Sequence, residues 1–171
     1  MILTGQEIRR QVESGRITID PFRLDQLNPN SYNYRLGATL LAPVDRPDDP
    51  GCYDYVEHLI PEGGYELAPG KTYLGHTVEV LGSDEFAMSL IGRSSIGRLG
   101  LFLQVSANLG HIGSCHAWTL ELVAARPIIL YPGMRIGQIS FWTASGEADL
   151  YRHGYSRFNR PQCSKESAGF A

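Results

Sequence analysis

Turn-forming residues divide most of this chain into short segments, and this limits the folds it can adopt. The sequence contains nineteen glycines and ten prolines, and pairs such as Pro69-Gly70 and Pro132-Gly133 separate runs rich in apolar residues. Short runs between turn signals are typical of β-strands joined by hairpins. The pattern therefore predicts a sandwich or barrel rather than a βαβ sheet. We predict strands at Thr72–Val80, Phe86–Ile91, Leu101–Ser106, Trp118–Val123 and Ile136–Phe141.

One short helix is predicted at the start of the chain. Thr4 and Glu7 have the spacing of a capping box, in which a threonine caps the helix and a glutamate follows three residues later. Ile8 and Val12 would then share one face. Gly15 is a suitable residue to end the helix, because glycine adopts the left-handed conformation common after a last turn.

Composition restricts the domain organisation and the partners. The 171 residues fit one domain, and 43% of them are hydrophobic, enough for a packed core. The net charge of −3 argues against binding of nucleic acid polymers. The three cysteines, Cys52, Cys115 and Cys163, are far apart and form no C-x-x-C pair, so the sequence indicates neither a disulfide framework nor a zinc knuckle. Free thiols and the lack of a long apolar run lead us to expect a cytoplasmic protein without membrane attachment.

Two segments lack a clear periodicity of apolar residues. The stretch 43–64 is rich in Pro, Asp and Gly, and we predict a surface loop or a loose insertion there. The tail, residues 152–171, is polar with isolated aromatic residues. Because it cannot pack a core of its own, we predict that it is flexible, or ordered only by a ligand or a partner.

The segment Gly92–Leu101, with the sequence GRSSIGRLGL, indicates a phosphate site. It follows an apolar run and places two arginines and two serines within six residues. A short helical turn here would direct backbone N–H groups, hydroxyls and guanidinium groups to one place, which is how proteins hold phosphate oxygens. A solvated surface turn of the same composition is an alternative that this segment alone leaves open.

The predicted strand Trp118–Val123 contains a carboxylate between apolar residues. Alternation would direct Leu120 and Leu122 to one face and Thr119 and Glu121 to the other. A carboxylate in such an apolar strand can act as a proton shuttle. On the strand alone, an outward-facing glutamate on a half-exposed sheet is the simpler interpretation.

His111 and His116 flank Cys115, a combination that could bind a metal ion or form a nucleophile. Their spacing matches no zinc pattern, and we predict that Asn108–His116 is a loop between strands. We therefore expect a structural or solvent-facing role for His116 and Cys115.

Four motifs together resemble those of dCTP deaminases, a branch of the trimeric dUTPase superfamily. Gly92–Leu101 is very similar to the phosphate motif of that family. Asn30–Gly37 (NSYNYRLG) is similar to its S-x-D-x-R-L-G strand, and Tyr131–Gln138 (YPGMRIGQ) resembles a late hairpin. Thr119-Leu120-Glu121 stands at the position of its catalytic glutamate. Because the order and spacing of all four agree, the chain is identified as a member of this family.

The resemblance implies a distorted β-barrel or jelly-roll of the dUTPase type, assembled as a homotrimer with deoxycytidine nucleotide bound between subunits. Mg²⁺ would accompany the triphosphate. No zinc is expected, because the H-x-E and P-C-x-x-C signature of zinc deaminases is absent. In the implied mechanism Glu121 passes a proton from water to N3 of cytosine. Ser94 orients the water, and Arg98 holds the water and Glu121 in place. The implied substrate contacts are Arg93, Ser94, Ser95, Arg98, Ala107, His111, Thr119, Leu120, Tyr151, Arg157 and Gln162.

The chain departs from the family pattern mainly at His111, where an aspartate is usual. Asn33, Leu109, Arg157 and Phe158 also differ from the usual residues. The favoured function is deamination of dCTP to dUTP and ammonia. A dUTPase-like pyrophosphatase is disfavoured, because that chemistry uses the missing aspartate, and a non-catalytic regulatory homologue would have no need of Glu121. From His111 we predict that the reaction stops at the deaminated triphosphate, without pyrophosphate.

Overall fold

The computed structural model describes residues 1–45, 53–104, 107–154, 156 and 158–164. Its two helices are α1 (Gly5–Glu13) and α2 (Ser94–Gly97), and a single 3₁₀ turn covers Leu24–Gln26. The strands are β1 (Ile17–Asp20), β2 (Tyr32–Arg35), β3 (Thr39–Asp45), β4 (Tyr53–Leu59), β5 (Tyr65–Leu67), β6 (Thr72–Ser83), β7 (Phe86–Gly92), β8 (Leu101–Leu103), β9 (Leu109–Gly110), β10 (Cys115–Ala124), β11 (Ile128–Leu130) and β12 (Arg135–Thr143).

The strands form antiparallel sheets, as predicted for a mainly β fold. A six-stranded sheet has the order β4-β3-β6-β10-β8, with β1 paired to β6, and a four-stranded sheet has the order β2-β12-β7-β9. Strands β5 and β11 form a small third sheet. The pairing of β6 with β10 places Leu120 opposite Gly75 and Glu121 opposite Leu74. The long strand β6 therefore supports the full length of the strand that carries Glu121.

The core lies between the two large sheets. Its largest fully buried side chains come from both sheets and from α1, and they include Tyr32, Tyr34, Phe141, Ile8, Leu40, Leu81 and Met88. Tyr34 packs so closely on Gly137 of β12 that a Cβ there would lie 2.1 Å from the Tyr34 hydroxyl oxygen. That hydroxyl donates to the Ile91 carbonyl at 3.2 Å. A glycine at this position thus allows β2, β12 and β7 to approach one another at one end.

A buried ion pair connects the two large sheets. Arg35 on β2 directs its Nε to Oε1 of Glu79 on β6 at 2.7 Å, and the Glu79 side chain is 0% exposed. Oε2 of Glu79 accepts the backbone N–H of Arg35 at 2.8 Å. Gln26 donates to Oε1 at 3.0 Å. A buried carboxylate is tolerated only with such partners, because losing its hydration is costly.

The predicted helix is confirmed. The Thr4 hydroxyl accepts the N–H of Glu7 at 3.3 Å, and Ile8 is completely buried. Gly15 follows the helix with φ +76. Four of the five predicted strands agree with β6, β7, β10 and β12, each slightly longer than predicted.

Three expectations were wrong. Within the predicted loop 43–64, residues 43–45 and 53–59 belong to the antiparallel strands β3 and β4, in which Ala42 pairs with Val56; residues 46–52 lie outside the described residues. The predicted strand at Leu101–Ser106 ends at Leu103, because Gln104 adopts φ 49, which interrupts an extended strand. The predicted loop Asn108–His116 contains β9 and the first residues of β10. No helix among the described residues is long and apolar enough to cross a membrane.

Candidate active site

The predicted phosphate turn is a short helical turn at the end of β7. Arg93 is its N-cap, with extended φ −89 and ψ 141, and α2 follows at Ser94–Gly97. The side chains of Ser94, Ser95 and Arg98 are exposed, and Arg93 is half-buried. The N–H groups of the first helical residues have no acceptor within the helix. Exposed hydroxyls, arginines and free N–H groups on one turn can together hold anionic oxygens.

Glu121 lies on β10, half-buried between the fully buried Leu120 and Leu122. Its backbone is held from outside the strand. The N–H of Glu121 donates to Oε1 of Gln104 at 2.8 Å, and the N–H of Gln104 donates to the Glu121 carbonyl at 3.3 Å. Gln104 Nε2 also donates weakly to the Ala107 carbonyl at 3.4 Å. One side chain thus links the strand carrying Glu121 to the exposed Ala107.

Part of the polar tail runs beside β10. The N–H of Ala117 donates to Oδ1 of Asn159 at 2.9 Å, and the N–H of Gln162 donates to the Thr119 hydroxyl at 3.1 Å. Thr119 is paired across the ladder with His76 of β6. Burial lowers the pKa of the half-buried His76, and the nearby charge of Arg160 lowers it further. The tail therefore brings Gln162 to Thr119, two of the predicted substrate contacts.

His111 and Tyr151, also predicted substrate contacts, are brought together at the other end of β10. Their ring centroids are 5.3 Å apart. The N–H of Tyr151 donates to the Ile112 carbonyl at 2.8 Å. His111 is exposed and Tyr151 half-buried. The pair can thus contact a ligand on the outside of this loop.

His116 has the structural role expected of it. It is 5% exposed and stacks on Trp118 with ring centroids 4.3 Å apart. Its Nδ1–H donates to the Phe158 carbonyl at 3.0 Å, and burial lowers its pKa. Cys115 is a half-buried free thiol on the same strand.

Among the described residues, no hydrogen bond or ion pair joins the side chain of Glu121 to Ser94 or Arg98. Leu120 is wholly buried, so only its backbone could contact a substrate. Arg157, the last predicted contact, lies outside the described residues.

Sequence reasoning missed Gln104 and Arg135. Gln104 is recognisable only from its backbone, since a left-handed φ at a residue other than glycine is uncommon and is often found at functional sites. Arg135 begins β12, and its carbonyl accepts a hydrogen bond from Nη1 of Arg93 at 3.3 Å. The sequence places these two arginines far apart, so no local motif connects them.

Comparison with known proteins identifies the family. A family model described as dCTP deaminase-like matches residues 2–144. The chain belongs to the dCTP deaminase-like family. Relatives from Cytophaga hutchinsonii and Clostridium botulinum are each 44% identical to it, over 161 and 155 residues. The alignments cover 94% and 90% of this chain and 92% and 89% of the relatives. Both are named dCTP deaminase, dUMP-forming.

A solved structure supports the fold. The 2'-deoxycytidine 5'-triphosphate deaminase from Agrobacterium tumefaciens superposes with a TM-score of 0.67 at 23% identity. The match covers 84% of this chain and 48% of that chain, so this chain spans about half of the solved one. The predicted dUTPase-like, mainly β fold is thereby confirmed.

The relatives' name differs from one of our predictions. From His111 we predicted that the reaction ends at dUTP, whereas both relatives are named for the formation of dUMP.

Proposed function

We propose that this protein deaminates dCTP. The observation that carries the proposal is the 44% identity, over 94% of the chain, with a protein named dCTP deaminase. The positions of two motifs support it: the phosphate turn is accessible, and Glu121 stands half-buried on a strand held at both edges, by β6 and by Gln104.

Glu121 is the proton shuttle in this proposal. Water adds to C4 of the cytosine, Glu121 accepts its proton and passes it to N3, and the tetrahedral centre then expels ammonia. The balanced step is dCTP plus water giving dUTP plus ammonia. A base is needed because neutral water is a poor nucleophile. Ser94 orients the water, and Arg98 fixes the water and the carboxylate.

The phosphates bind to Arg93, Ser94 and Ser95, and Mg²⁺ enters with the nucleotide as Mg–dCTP. The described residues contain no group of three carboxylate, imidazole or thiol side chains that could hold a metal ion. In this proposal the metal ion is coordinated by phosphate oxygens and water instead of protein side chains, as Mg²⁺ commonly is. We propose that the reaction does not use zinc.

We propose that the site is shared between subunits, with Glu121 from one copy and the phosphate turn from another. Closed cyclic assembly allows this for every subunit. We propose a homotrimer, with the tail closing over bound nucleotide beside Thr119. Light scattering should give the mass of three chains, and a fully active monomer would contradict the shared site.

For the product, the relatives' name favours dUMP over the dUTP that we predicted. The second step would be dUTP plus water giving dUMP plus pyrophosphate. His111 carries no negative charge, but a neutral imidazole can accept a proton from water. We propose that His111 serves this second water and that dUMP is the end product.

Phosphorus NMR combined with an ammonia assay tests both parts. Wild-type protein is incubated with Mg–dCTP, and CTP and dCMP serve as comparison substrates. Ammonia from dCTP, with pyrophosphate and a monophosphate, is the expected result. Ammonia with only a triphosphate product would restore dUTP as the end product. No ammonia from dCTP, under conditions in which the protein is folded, would refute the proposed function.

A further inference from the structure

A row of arginines lies beside the phosphate turn, at one end of three neighbouring strands. In the order β2-β12-β7, β2 ends at Arg35, β12 begins at Arg135, and β7 leads directly into Arg93. Arg135 is paired with Arg35 in the ladder. Adjacent strands lie about 4.8 Å apart. The fold thus gathers positive charge that is dispersed in the sequence.

The three arginines have different partners. Arg35 is 18% exposed and is neutralised by the buried Glu79. Arg93 donates to the Arg135 carbonyl and has no carboxylate partner among the residues the structure describes. Arg135 pairs with Asp25 of the 3₁₀ turn, with both side chains largely exposed, at 38% and 55%. Of these three arginines, Arg93 and Arg135 are therefore the ones that an incoming anion can bind.

Asp25 is shared between two arginines. It also pairs with Arg23 Nε at 3.4 Å. The outward-facing cluster of Arg23, Asp25, Arg93 and Arg135 thus holds three positive charges and one negative charge. An exposed ion pair is weak because water screens it, whereas a guanidinium can bind a phosphate through two parallel hydrogen bonds. A doubly charged phosphate can therefore displace Asp25 from Arg135.

We propose that Arg135 is a specificity residue that binds the terminal phosphate of a nucleoside triphosphate, with Asp25 as its competitor. The inference rests on the proposed function in taking Arg93, Ser94 and Ser95 as the site of the inner phosphates. Arg93 touches the backbone of Arg135, so a phosphate chain that starts at the turn and extends toward β12 reaches this guanidinium next. The cluster then selects triphosphates over monophosphates.

Calorimetric titration of dCTP and dCMP tests the inference. The titrations use the full chain with Glu121→Gln in the background, so that nucleotide is not consumed. Arg135→Leu should weaken dCTP binding about tenfold, or about 1.4 kcal/mol, and change dCMP binding less than about twofold. Asp25→Asn should tighten dCTP binding, because it removes the competitor. Arg9→Leu is the matched control, because it breaks another exposed ion pair, with Glu13, and should change neither.

A purely structural role for Arg135 predicts a different result. If the pair with Asp25 only fastens β12 to the 3₁₀ turn, Arg135→Leu and Asp25→Asn would act in the same direction and affect both nucleotides equally; that result, or unchanged dCTP binding, overturns the inference. Should Arg135→Leu fail to fold, the sign of the Asp25→Asn effect decides. Wild-type protein is assayed in parallel for ammonia. Selective dCTP binding without ammonia would refute the proposed function and leave this inference standing.

Discussion

Gln104 offers a way to separate stability from catalysis, because its side chain and its backbone contribute in opposite directions. Its Oε1 accepts the N–H of Glu121 at 2.8 Å, while its φ of 49 is unfavourable for any residue with a Cβ. Leaving a half-buried N–H without an acceptor costs roughly 1–3 kcal/mol. A left-handed conformation outside glycine costs roughly 1–2 kcal/mol.

Two substitutions at this position should therefore differ in stability and agree in activity. Gln104→Ala loses the hydrogen bond and keeps the strain, so it should unfold roughly 1–3 kcal/mol more easily. Gln104→Gly loses the same bond and releases the strain, so it should stay within about 1 kcal/mol of the wild type. Both remove the side-chain bond to the Glu121 N–H, and a resulting displacement on the order of 1 Å can lower turnover by up to roughly 100-fold.

The assay is the initial rate of ammonia release from Mg–dCTP, compared with urea unfolding at one protein concentration. We expect kcat to fall roughly 10–100-fold in both variants, with little change in KM because the proposed phosphate contacts are on a different segment. A Gln104→Gly variant with wild-type kcat would show that Gln104 does not position Glu121. If the activity of the variants fell only in proportion to the fraction of folded protein, Gln104 would likewise have no role in positioning Glu121.

Three further perturbations can be measured with the same two assays. Glu121→Gln should keep nucleotide binding and lose at least roughly 1,000-fold in turnover; a variant with more than about a tenth of the wild-type rate would remove Glu121 from the mechanism. Arg35→Met should destabilise the protein by roughly 3–5 kcal/mol, because it leaves the buried Glu79 charge unpaired, and Glu79→Gln added to it should recover part of that loss in urea unfolding. Burial lowers the pKa of His76 and His116 in the folded protein, so the unfolded chain binds more protons below about pH 6.5. Stability should therefore be unaffected by these groups above that pH and should fall as the pH drops below it, by at most about 1.4 kcal/mol per pH unit for each histidine. His116→Asn should reduce this slope, and an unchanged slope would show that its protonation is not linked to folding.

Local signals predicted the elements that depend on local causes. The capping box predicted α1, because Thr4 and Glu7 are neighbours in the helix itself. Alternation predicted β10, because the face that carries Leu120 and Leu122 is completely buried in the core. The helical turn at Ser94–Gly97 was predicted from its own segment too, and its phosphate-binding role stays a prediction.

Elements that depend on distant partners could not be predicted in this way. The hairpin of β3 and β4 was missed because Pro43 suggested a loop. A proline is tolerated in the part of a strand that does not pair with an inner strand of the sheet. Strand β3 pairs with the inner strand β6 only at Leu41. The contacts of the tail with Ala117 and Thr119 are hydrogen bonds to a strand edge. Such contacts do not require regularly spaced apolar residues, so hydrophobic periodicity cannot predict them.

The ladder between β2 and β12 has a consequence for synthesis. Tyr32 of β2 is paired with Ile139 of β12, and Tyr32 and Tyr34 are completely buried only when that sheet is complete. On the ribosome, β2 emerges long before its partner, because the intervening sequence encodes most of the other strands. Two large aromatic side chains therefore remain in contact with water and with other nascent chains until β12 has emerged, and non-local pairing of this kind is slow. The yield of soluble protein is expected to rise with chaperone supply or at lower expression temperature, and to be most sensitive to substitutions in β12, on which the burial of both tyrosines depends.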